Sequence, residues 1–271
     1  GDGRWRPAGA PTLRSAAVAL GALAAGRRPR PRQRGWRRAA AEAPLAAAEE
    51  LGRPGELFEA PPLSGEDRAL VVWLHGLGDT GEGWSQHAPL LQQNDMPFLH
   101  FLFPTAPTRD VGGSRGACPS WYEVETLDPD AIAEMTDSPR GMDEACEYIL
   151  GLVASHVRAG LHPSRVILVG YSQGGGLALA AARRAPWPLG GVLMLSSWVA
   201  EPLHGKRVDC PVHFFHGALD PVVPLELARR CHAQVQETGT PTSMRAYPGL
   251  RHGVVDEEVV DIAQVLYESL R

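Results

Sequence analysis

The chain has 271 residues, 44% of them hydrophobic, and a formal net charge of −5. This length fits one α/β domain with an extension, or two small domains, and no run of 18 apolar residues indicates a transmembrane helix. Residues 1–38 carry ten Arg and one acidic residue, a net +9 that leaves −14 on the remainder, and such an acidic main part does not favour nucleic-acid binding.

The first 60 residues read as an extension outside the folded core. Residues 26–38, GRRPRPRQRGWRR, are too basic and Pro-rich to bury a face. The apolar run before them, SAAVALGALAAG, resembles part of a transit peptide or a signal-peptide core, and a disordered tail fits as well. We therefore expect residues 1–60 to be disordered or targeting, and residues 61–271 to form the domain. Residues 54–67 are either a linker or a first edge strand.

The cysteine spacing points to a reducing compartment. Cys118, Cys146, Cys210 and Cys231 form no CxxC pair, which is typical of free thiols. We expect a cytoplasmic protein, or one in a mitochondrion or plastid if the basic extension is a transit peptide. The His and Cys residues show no metal-site spacing, so we expect no metal and no cofactor.

From residue 69 onward, apolar runs alternate with helix-length segments. Runs without polar alternation, which suit strands buried on both faces, occur at 69–74, 98–103, 165–171, 190–197, 212–217 and 243–249. The helix-length segments lie at about 83–93, 139–158, 173–185, 224–238 and 256–270. This alternation predicts a doubly wound, mostly parallel α/β sheet with helices on both faces and a minimal lid.

A serine between two glycines follows the third apolar run, in VGYSQGGG. Ser172 stands directly between a predicted strand and a predicted helix, which is the context of a nucleophile elbow. A second G-x-S-x-G match, GGSRG, centres on Ser114, but it follows a Pro-rich loop and precedes no helix signal. We therefore predict Ser172 as the nucleophile and interpret Ser114 as a loop residue.

A serine nucleophile needs a base and an acid that orients it. In doubly wound sheets the active site lies at the carboxyl ends of the strands. Asp220 follows the strand at 212–217, whereas Asp209 precedes that strand and Glu226 falls inside a predicted helix. We therefore predict Asp220 as the acid, and a helix-capping Asp is the alternative.

The base must follow the acid in the expected chain order of Ser, acid, His. Beyond Asp220 only His232 and His252 remain. His232 lies mid-helix, whereas His252 lies in the loop after the last predicted strand. We therefore predict His252 as the base, and an ordinary surface His is the alternative.

The developing oxyanion needs two backbone N–H donors. Gln173 follows the nucleophile and starts a helix. The turn HGLGDTGEG follows the first apolar run, and Gly76 and Gly78 allow its backbone to turn, so we choose Leu77 for the second donor. His75 is better read as a structural residue at the strand end than as a base. No nucleotide-binding glycine pattern follows this strand.

Five segments together resemble acyl-protein thioesterases, also described as lysophospholipase-like carboxylesterases: WLHGLGDTG, FPTAP, PSWYEV, GYSQGG and HGALDPVVP. The resemblance covers about residues 71–270. It implies an α/β-hydrolase that cleaves fatty acyl thioesters on protein cysteines, lysophospholipids and small esters.

The resemblance also implies site residues. The triad positions that match are Ser172, Asp220 and His252, the oxyanion positions that match are Leu77 and Gln173, and Trp121 matches an aromatic residue beside an acyl groove. The sequence departs from the family where Tyr122 and Glu123 replace Phe and Asp and where Gly253 replaces Ser, which leaves the acyl-chain preference open.

Two other functions remain open at this point. A small-ester carboxylesterase without a long-chain groove would carry the same triad, because the triad does not encode the leaving group. Ile132, Met135 and Trp198 could line a groove for a fatty chain, or they could make ordinary core and surface contacts. A non-catalytic binding module on the same fold would be expected to lose a triad residue, and none is missing. The expected partners are S-acylated proteins or acyl esters.

Overall fold

The computed structural model describes residues 54–111 and 116–271. Residues 1–53, most of the expected extension, lie outside the described residues, as does Ser114 of the second G-x-S-x-G match. Across the described ranges, every helix is too short or too polar to traverse a lipid bilayer.

The described ranges contain nine β-strands. In chain order they are β1 (Leu57–Ala60), β2 (Ala69–Leu74), β3 (Leu99–Pro104), β4 (Thr108–Asp110), β5 (Ala117–Pro119), β6 (Val166–Tyr171), β7 (Gly191–Leu195), β8 (Val212–Gly217) and β9 (Thr242–Tyr247). Seven of them form one sheet in the order β1-β3-β2-β6-β7-β8-β9, and β4 pairs with β5 in a separate ribbon. All neighbours in the large sheet are parallel except the β1–β3 pair.

Seven α-helices are found in the same ranges. They are α1 (Gly81–Ser85), α2 (His87–Gln93), α3 (Pro129–Ala133), α4 (Met142–Arg158), α5 (Gln173–Arg184), α6 (Leu225–Glu237) and α7 (Asp256–Leu270). The predicted doubly wound, mostly parallel sheet is confirmed. The six predicted strands agree with the observed ones within two residues at each end, whereas the predicted helix at 83–93 is two short helices.

The sheet is buried on both faces, as its continuous apolar strands predicted. In β2, all six residues are buried. Leu70, Val72 and Leu74 pack in one core with α4, α5 and α6, and Val71 and Trp73 pack in the opposite core with α1, α2 and α7. Burial on both faces removes the polar alternation that a half-exposed strand would show.

Strand β1 lies before the domain boundary that we expected at residue 60. Leu57 to Ala60 pair with Pro104 to Phe101, and further hydrogen bonds join Gly55 and Glu56 to Thr105. The burial of β1 alternates between exposed and half-buried, which suits an edge strand. The sheet therefore begins earlier than the expected domain, and residues 57–60 are an edge strand rather than a linker.

Strands β2 and β6 are neighbours, but the chain leaves them toward opposite sides of the sheet. It passes from β2 to β3 on one side, and from β6 through β7 and β8 to β9 on the other. The carboxyl ends of two such strands border a crevice where doubly wound proteins bind their ligands. Leu74 ends β2 and Tyr171 ends β6, so the segments that follow them meet at this crevice.

Candidate active site

Ser172 occupies a strained turn between β6 and α5. Its φ of 52° and ψ of −121° are rare for a residue with a side chain. Its amide donates to the carbonyl oxygen of Leu195 at 2.8 Å, and its carbonyl oxygen accepts from Ser197 Oγ at 2.6 Å and from the Gly175 amide at 3.0 Å. Strained backbone persists where surrounding contacts fix it. These contacts hold the Ser172 side chain at the carboxyl edge of the sheet.

The two glycines that flank Ser172 allow a close approach of three backbones. A Cβ on Gly170 would overlap the backbone of Gly174, and a Cβ on Gly174 would overlap the carbonyl oxygens of Leu74 and His75. Any side chain at either position would push α5 away from β6 and β2. The glycine pattern of the sequence therefore has the mechanical cause that we expected.

The side chains of Ser172, His252 and Asp220 lie in one hydrogen-bonded row. His252 Nε2 is 3.1 Å from Ser172 Oγ, and His252 Nδ1 is 2.7 Å from Asp220 Oδ2. The three residues follow β6, β9 and β8, respectively. A neutral imidazole with its hydrogen on Nδ1 would donate to Asp220 and accept the serine hydroxyl hydrogen on Nε2.

Several hydrogen bonds orient the Asp220 carboxylate and favour its ionised form. Its Oδ1 accepts from the backbone amides of Val222 and Val223 at 2.8 and 2.9 Å. Burial by itself would raise the pKa of Asp220, but the hydrogen bond and charge of His252 and the two amides outweigh it, so the pKa lies below its ordinary value. His216, which the sequence did not indicate, lies 3.6 Å from Asp220 Oδ2, and burial lowers its pKa.

The rejected candidates lie elsewhere. His232 is in α6, with its ring edge-on to Phe214. Glu226 is in the first turn of α6, where it pairs with Arg230 at 3.3 Å. Asp209 precedes β8, at the opposite end of the strand from Asp220. The structure brings none of them to the Ser172 side chain.

The two residues expected to donate to an oxyanion are each adjacent in the chain to a residue at the Ser172 turn. Gln173 is the first residue of α5, where backbone N–H groups have no partner within the helix. Leu77 follows Gly76, and a Cβ on Gly76 would lie 3.3 Å from Ser172 Cβ. The turn after β2 therefore passes directly beside the serine, and Leu77 is the next residue of that turn.

His75 has a structural role in the fold, as the sequence indicated. Its Nδ1 donates to the Gly76 carbonyl oxygen at 2.7 Å, and its Nε2 accepts from the Ala106 amide at 2.9 Å. It is fully buried, and burial lowers its pKa despite the Gly76 hydrogen bond and the charge of Asp79. Both ring nitrogens are occupied, so His75 has no free site for a substrate proton.

The Gln173 side chain fastens the loop after β5 to the start of α5. Its Oε1 accepts from the Trp121 amide at 3.1 Å, and its Nε2 donates to Ser120 Oγ at 3.0 Å and to the Tyr122 carbonyl oxygen at 2.7 Å. The Tyr122 hydroxyl donates back to the Gln173 carbonyl oxygen at 2.9 Å. Sequence reasoning missed this clamp, whose only signal was that GYSQGG and PSWYEV occur together.

Trp121 does not line a groove, which differs from the sequence expectation. Its side chain is fully buried, its Nε1 donates to the His75 carbonyl oxygen at 2.9 Å, and its ring lies against the His75 ring. The indole has the polar partner that a buried Trp requires, so it packs beneath the surface instead of facing it. The next residue, Tyr122, borders a cavity.

That cavity has a volume of about 470 Å³, within the typical range of ~300–1,000 Å³ for small-molecule sites. The apolar residues Ile132, Met135 and Trp198 line it together with Tyr122. The sequence alone did not decide whether the first three line a groove or make ordinary contacts, and in the structure they line the same cavity. Acidic side chains line it too, namely Glu123, Glu125, Glu134 and Asp137.

Known proteins have sequences related to this chain. Residues 62–270 match the sequence profile of a family described as phospholipase/carboxylesterase. The chain is 34% identical over 215 residues to acyl-protein thioesterase 1 of Saccharomyces cerevisiae, which covers 75% of this chain and 93% of the yeast protein. It is 29% identical over 229 residues to a probable carboxylesterase of Oryza sativa, which covers 81% and 85% of the two chains.

A solved structure is also similar. The crystal structure of Arabidopsis thaliana SOBER1 superposes with a TM-score of 0.66 at 28% sequence identity. The match covers 75% of this chain and 100% of that chain.

Proposed function

Because the chain belongs to the phospholipase/carboxylesterase family of α/β-hydrolases, we propose that this hydrolase cleaves fatty acyl thioesters on protein cysteines, and related esters, through Ser172, His252 and Asp220. The observation that carries the proposal is the hydrogen-bonded row of these three side chains on a strained turn. The identity to acyl-protein thioesterase 1 favours a thioester substrate, and the identity to a probable carboxylesterase fits related esters.

The reaction begins with the Ser172 hydroxyl. His252 Nε2 takes its proton while Oγ attacks the acyl carbonyl carbon, and the Asp220 carboxylate stabilises the imidazolium that forms. His252 then gives the proton to the leaving thiolate or alkoxide as the bond to the acyl carbon breaks. Water attacks the acyl-serine, with His252 as base again, which releases the fatty acid and restores Ser172.

The tetrahedral intermediates carry a negative charge on the former carbonyl oxygen. We assign the backbone amides of Leu77 and Gln173 as its donors. Leu77 follows Gly76, which lies close to Ser172, and Gln173 begins α5, where the helix dipole favours negative charge. The clamp between Gln173 and Trp121 would then hold one of these donors in place.

We assign the cavity lined by Tyr122, Ile132, Met135 and Trp198 to the fatty acyl chain. Tyr122, which lines this cavity, also donates from its hydroxyl to the carbonyl oxygen of Gln173, the residue after Ser172. Each methylene that leaves water contributes up to about 0.8 kcal/mol, so even a partly covered groove would favour longer chains. A small-ester carboxylesterase is the alternative, since the comparisons include a carboxylesterase and the same triad serves both.

We propose the cytoplasm as the cellular location, and a mitochondrion or plastid if residues 1–38 act as a transit peptide. The four Cys side chains are free thiols in the structure, as befits a reducing compartment. The partners that follow are S-acylated proteins or acyl esters. We further propose that residues 1–53 stand outside the catalytic domain.

The deciding experiment compares palmitoyl-cysteine peptides with p-nitrophenyl esters of two to sixteen carbons. The proposal expects hydrolysis of the palmitoyl thioester and a kcat/KM that rises with chain length on the esters. A chain-length profile that falls after four carbons, with no thioester cleavage, would support the small-ester alternative.

A further inference from the structure

A second cluster of reactive side chains lies at the amino-terminal ends of the parallel strands, whereas Ser172 lies at their carboxyl ends. Asp67 precedes β2, His100 is the second residue of β3, and His156 lies in the last turn of α4. Their potential metal-binding atoms all lie within 4.8 Å of one another. The three residues are 33 and 56 positions apart along the chain, so no sequence spacing indicated the cluster.

Two imidazole rings converge on one carboxylate oxygen. His100 Nδ1 lies 3.0 Å and His156 Nδ1 lies 3.1 Å from Asp67 Oδ2. Ligand atoms around a tetrahedral Zn²⁺ lie roughly 3.3 Å apart, given metal–ligand distances of about 2.0–2.1 Å. The two shortest separations therefore need to widen by only a few tenths of an ångström to receive an ion.

The outer nitrogen of His100 has a carboxylate partner as well. His100 Nε2 lies 2.5 Å from Glu59 Oε1. A metal-bound His commonly donates its second N–H to a carboxylate, which fixes the tautomer and orients the ring. A neutral His100 without a cation can donate from only one nitrogen, so one of its two contacts with a carboxylate would bring a lone pair against an oxygen. Either a protonated ring, which donates from both nitrogens, or a cation bound at Nδ1 satisfies both contacts.

We propose that Asp67, His100 and His156 form a binding site for a divalent transition metal ion of the Zn²⁺ class, with Glu59 orienting His100. Imidazole and carboxylate ligands suit Zn²⁺, and water can complete the coordination because 37% of the Asp67 side chain is exposed. His156 lies at the carboxyl end of α4, where the helix dipole favours a cation.

The site is structural, because it lies on the opposite edge of the sheet from Ser172. It would join the segment before β2, strand β3 and helix α4, and through Glu59 it would also hold the edge strand β1. Within the described residues, β1 is an edge strand that pairs with β3 alone, so a tether here would stabilise one border of the sheet. Metal binding to the folded state raises its stability by mass action.

The test uses the full chain without an affinity tag, stripped with chelator and then titrated with ZnCl₂ and with CoCl₂. We expect the wild type to bind one more equivalent of Zn²⁺ than His156→Asn, with a Tm increase of roughly 3 °C or more in the wild type alone. Co²⁺ should give the visible absorption of a low-coordinate nitrogen and oxygen site in the wild type and not in His156→Asn.

Two further variants make the result specific. Glu59→Ala, at an exposed position, should weaken Zn²⁺ binding by about 10- to 100-fold and keep the stoichiometry. His204→Asn, at an exposed position with φ of 50° that Asn tolerates, should bind as the wild type does. Equal Zn²⁺ binding and equal Tm shifts in the wild type and His156→Asn would overturn the proposal and leave the cluster as hydrogen-bonded ion pairs only.

Discussion

The side-chain oxygen of Gln173 accepts a hydrogen bond at 3.1 Å from the backbone amide of Trp121, 52 residues earlier in the chain. This bond joins the helix that follows Ser172 to the loop that follows β5. It sets the position of a residue that we propose as an oxyanion donor, so its loss should affect catalysis and stability together.

We expect Gln173→Leu to lower kcat at least tenfold for esters of every chain length, because the donor beside Ser172 loses its support. The variant also leaves the buried Trp121 amide without its partner, at about 1–3 kcal/mol. It removes one of the two hydrogen bonds to the Tyr122 carbonyl oxygen, which keeps the Ser120 hydroxyl. Thermal unfolding and a p-nitrophenyl ester series measure the two effects. A loss confined to long chains would contradict the positioning role.

Replacement of the proposed nucleophile should abolish turnover and spare the fold. Ser172→Ala should lower kcat by roughly 10⁴- to 10⁶-fold, as removal of other triad serines does. A fluorophosphonate probe should label the wild type and not Ser172→Ala, as intact-mass measurement would show. Ser114→Ala is the matched control for the second G-x-S-x-G match and should keep wild-type activity.

The strain at Ser172 gives a separate stability test. Because its φ of 52° suits glycine, Ser172→Gly should relieve strain of about 1–3 kcal/mol and raise Tm, while Ser172→Ala should not. Differential scanning calorimetry of the two inactive variants makes the comparison. An unchanged Tm in Ser172→Gly would mean that the turn stores no strain.

Because Asp220 orients His252, its replacement should lower the catalytic rate much more than it lowers the stability of the fold. Asp220→Asn should lower kcat about 10⁴-fold, because the amide no longer fixes the imidazole tautomer. Asp209→Asn, at the opposite end of the same strand, should retain activity. Similar losses in both variants, measured with p-nitrophenyl butyrate, would show that the effect is not specific to the triad.

A charge in the assigned acyl cavity should remove the preference for long chains. From four to eight carbons, kcat/KM of the wild type should rise by up to ~10²-fold. Met135→Asp should flatten this rise and leave acetate esters unaffected, because Met135 lines the cavity and is only partly buried. Met135→Leu preserves the apolar wall and should behave as the wild type. The same flattening in Met135→Leu would point to altered packing instead.

A buried acid in α7 makes stability depend on pH. Burial raises the pKa of Glu258 to about 8, with Asp261 adding to the shift and the Val255 backbone opposing it. In the unfolded chain this carboxyl has its ordinary pKa of 4.5, so between pH 4.5 and about 8 the unfolded chain binds fewer protons than the folded chain. The free energy of unfolding should therefore fall as pH rises through this window.

Glu258→Gln removes this ionisation while it keeps the side-chain size. We expect its Tm to decline less than that of the wild type between pH 5 and pH 8. Both proteins are measured in the same buffers and at the same scan rate. Parallel Tm profiles of the two proteins would show that Glu258 is not the group responsible.

The sequence by itself determined the sheet and the order of the proposed triad. Continuous apolar runs mark strands buried on both faces, because a half-exposed strand would alternate. Parallel strands end at the same edge of the sheet, so residues that directly follow them converge. Ser172, Asp220 and His252 follow β6, β8 and β9, and the structure brings their side chains within hydrogen-bond distance.

Only the tertiary structure decided what lies next to these residues. Trp121 is buried beneath the surface because its indole finds the His75 carbonyl oxygen and its amide finds Gln173, neither of which a local pattern encodes. Asp67, His100 and His156 likewise meet only because β2, β3 and α4 pack together. Hydrophobic periodicity reports which face of an element is buried, whereas the partner of a single polar group depends on contacts between distant segments of the chain.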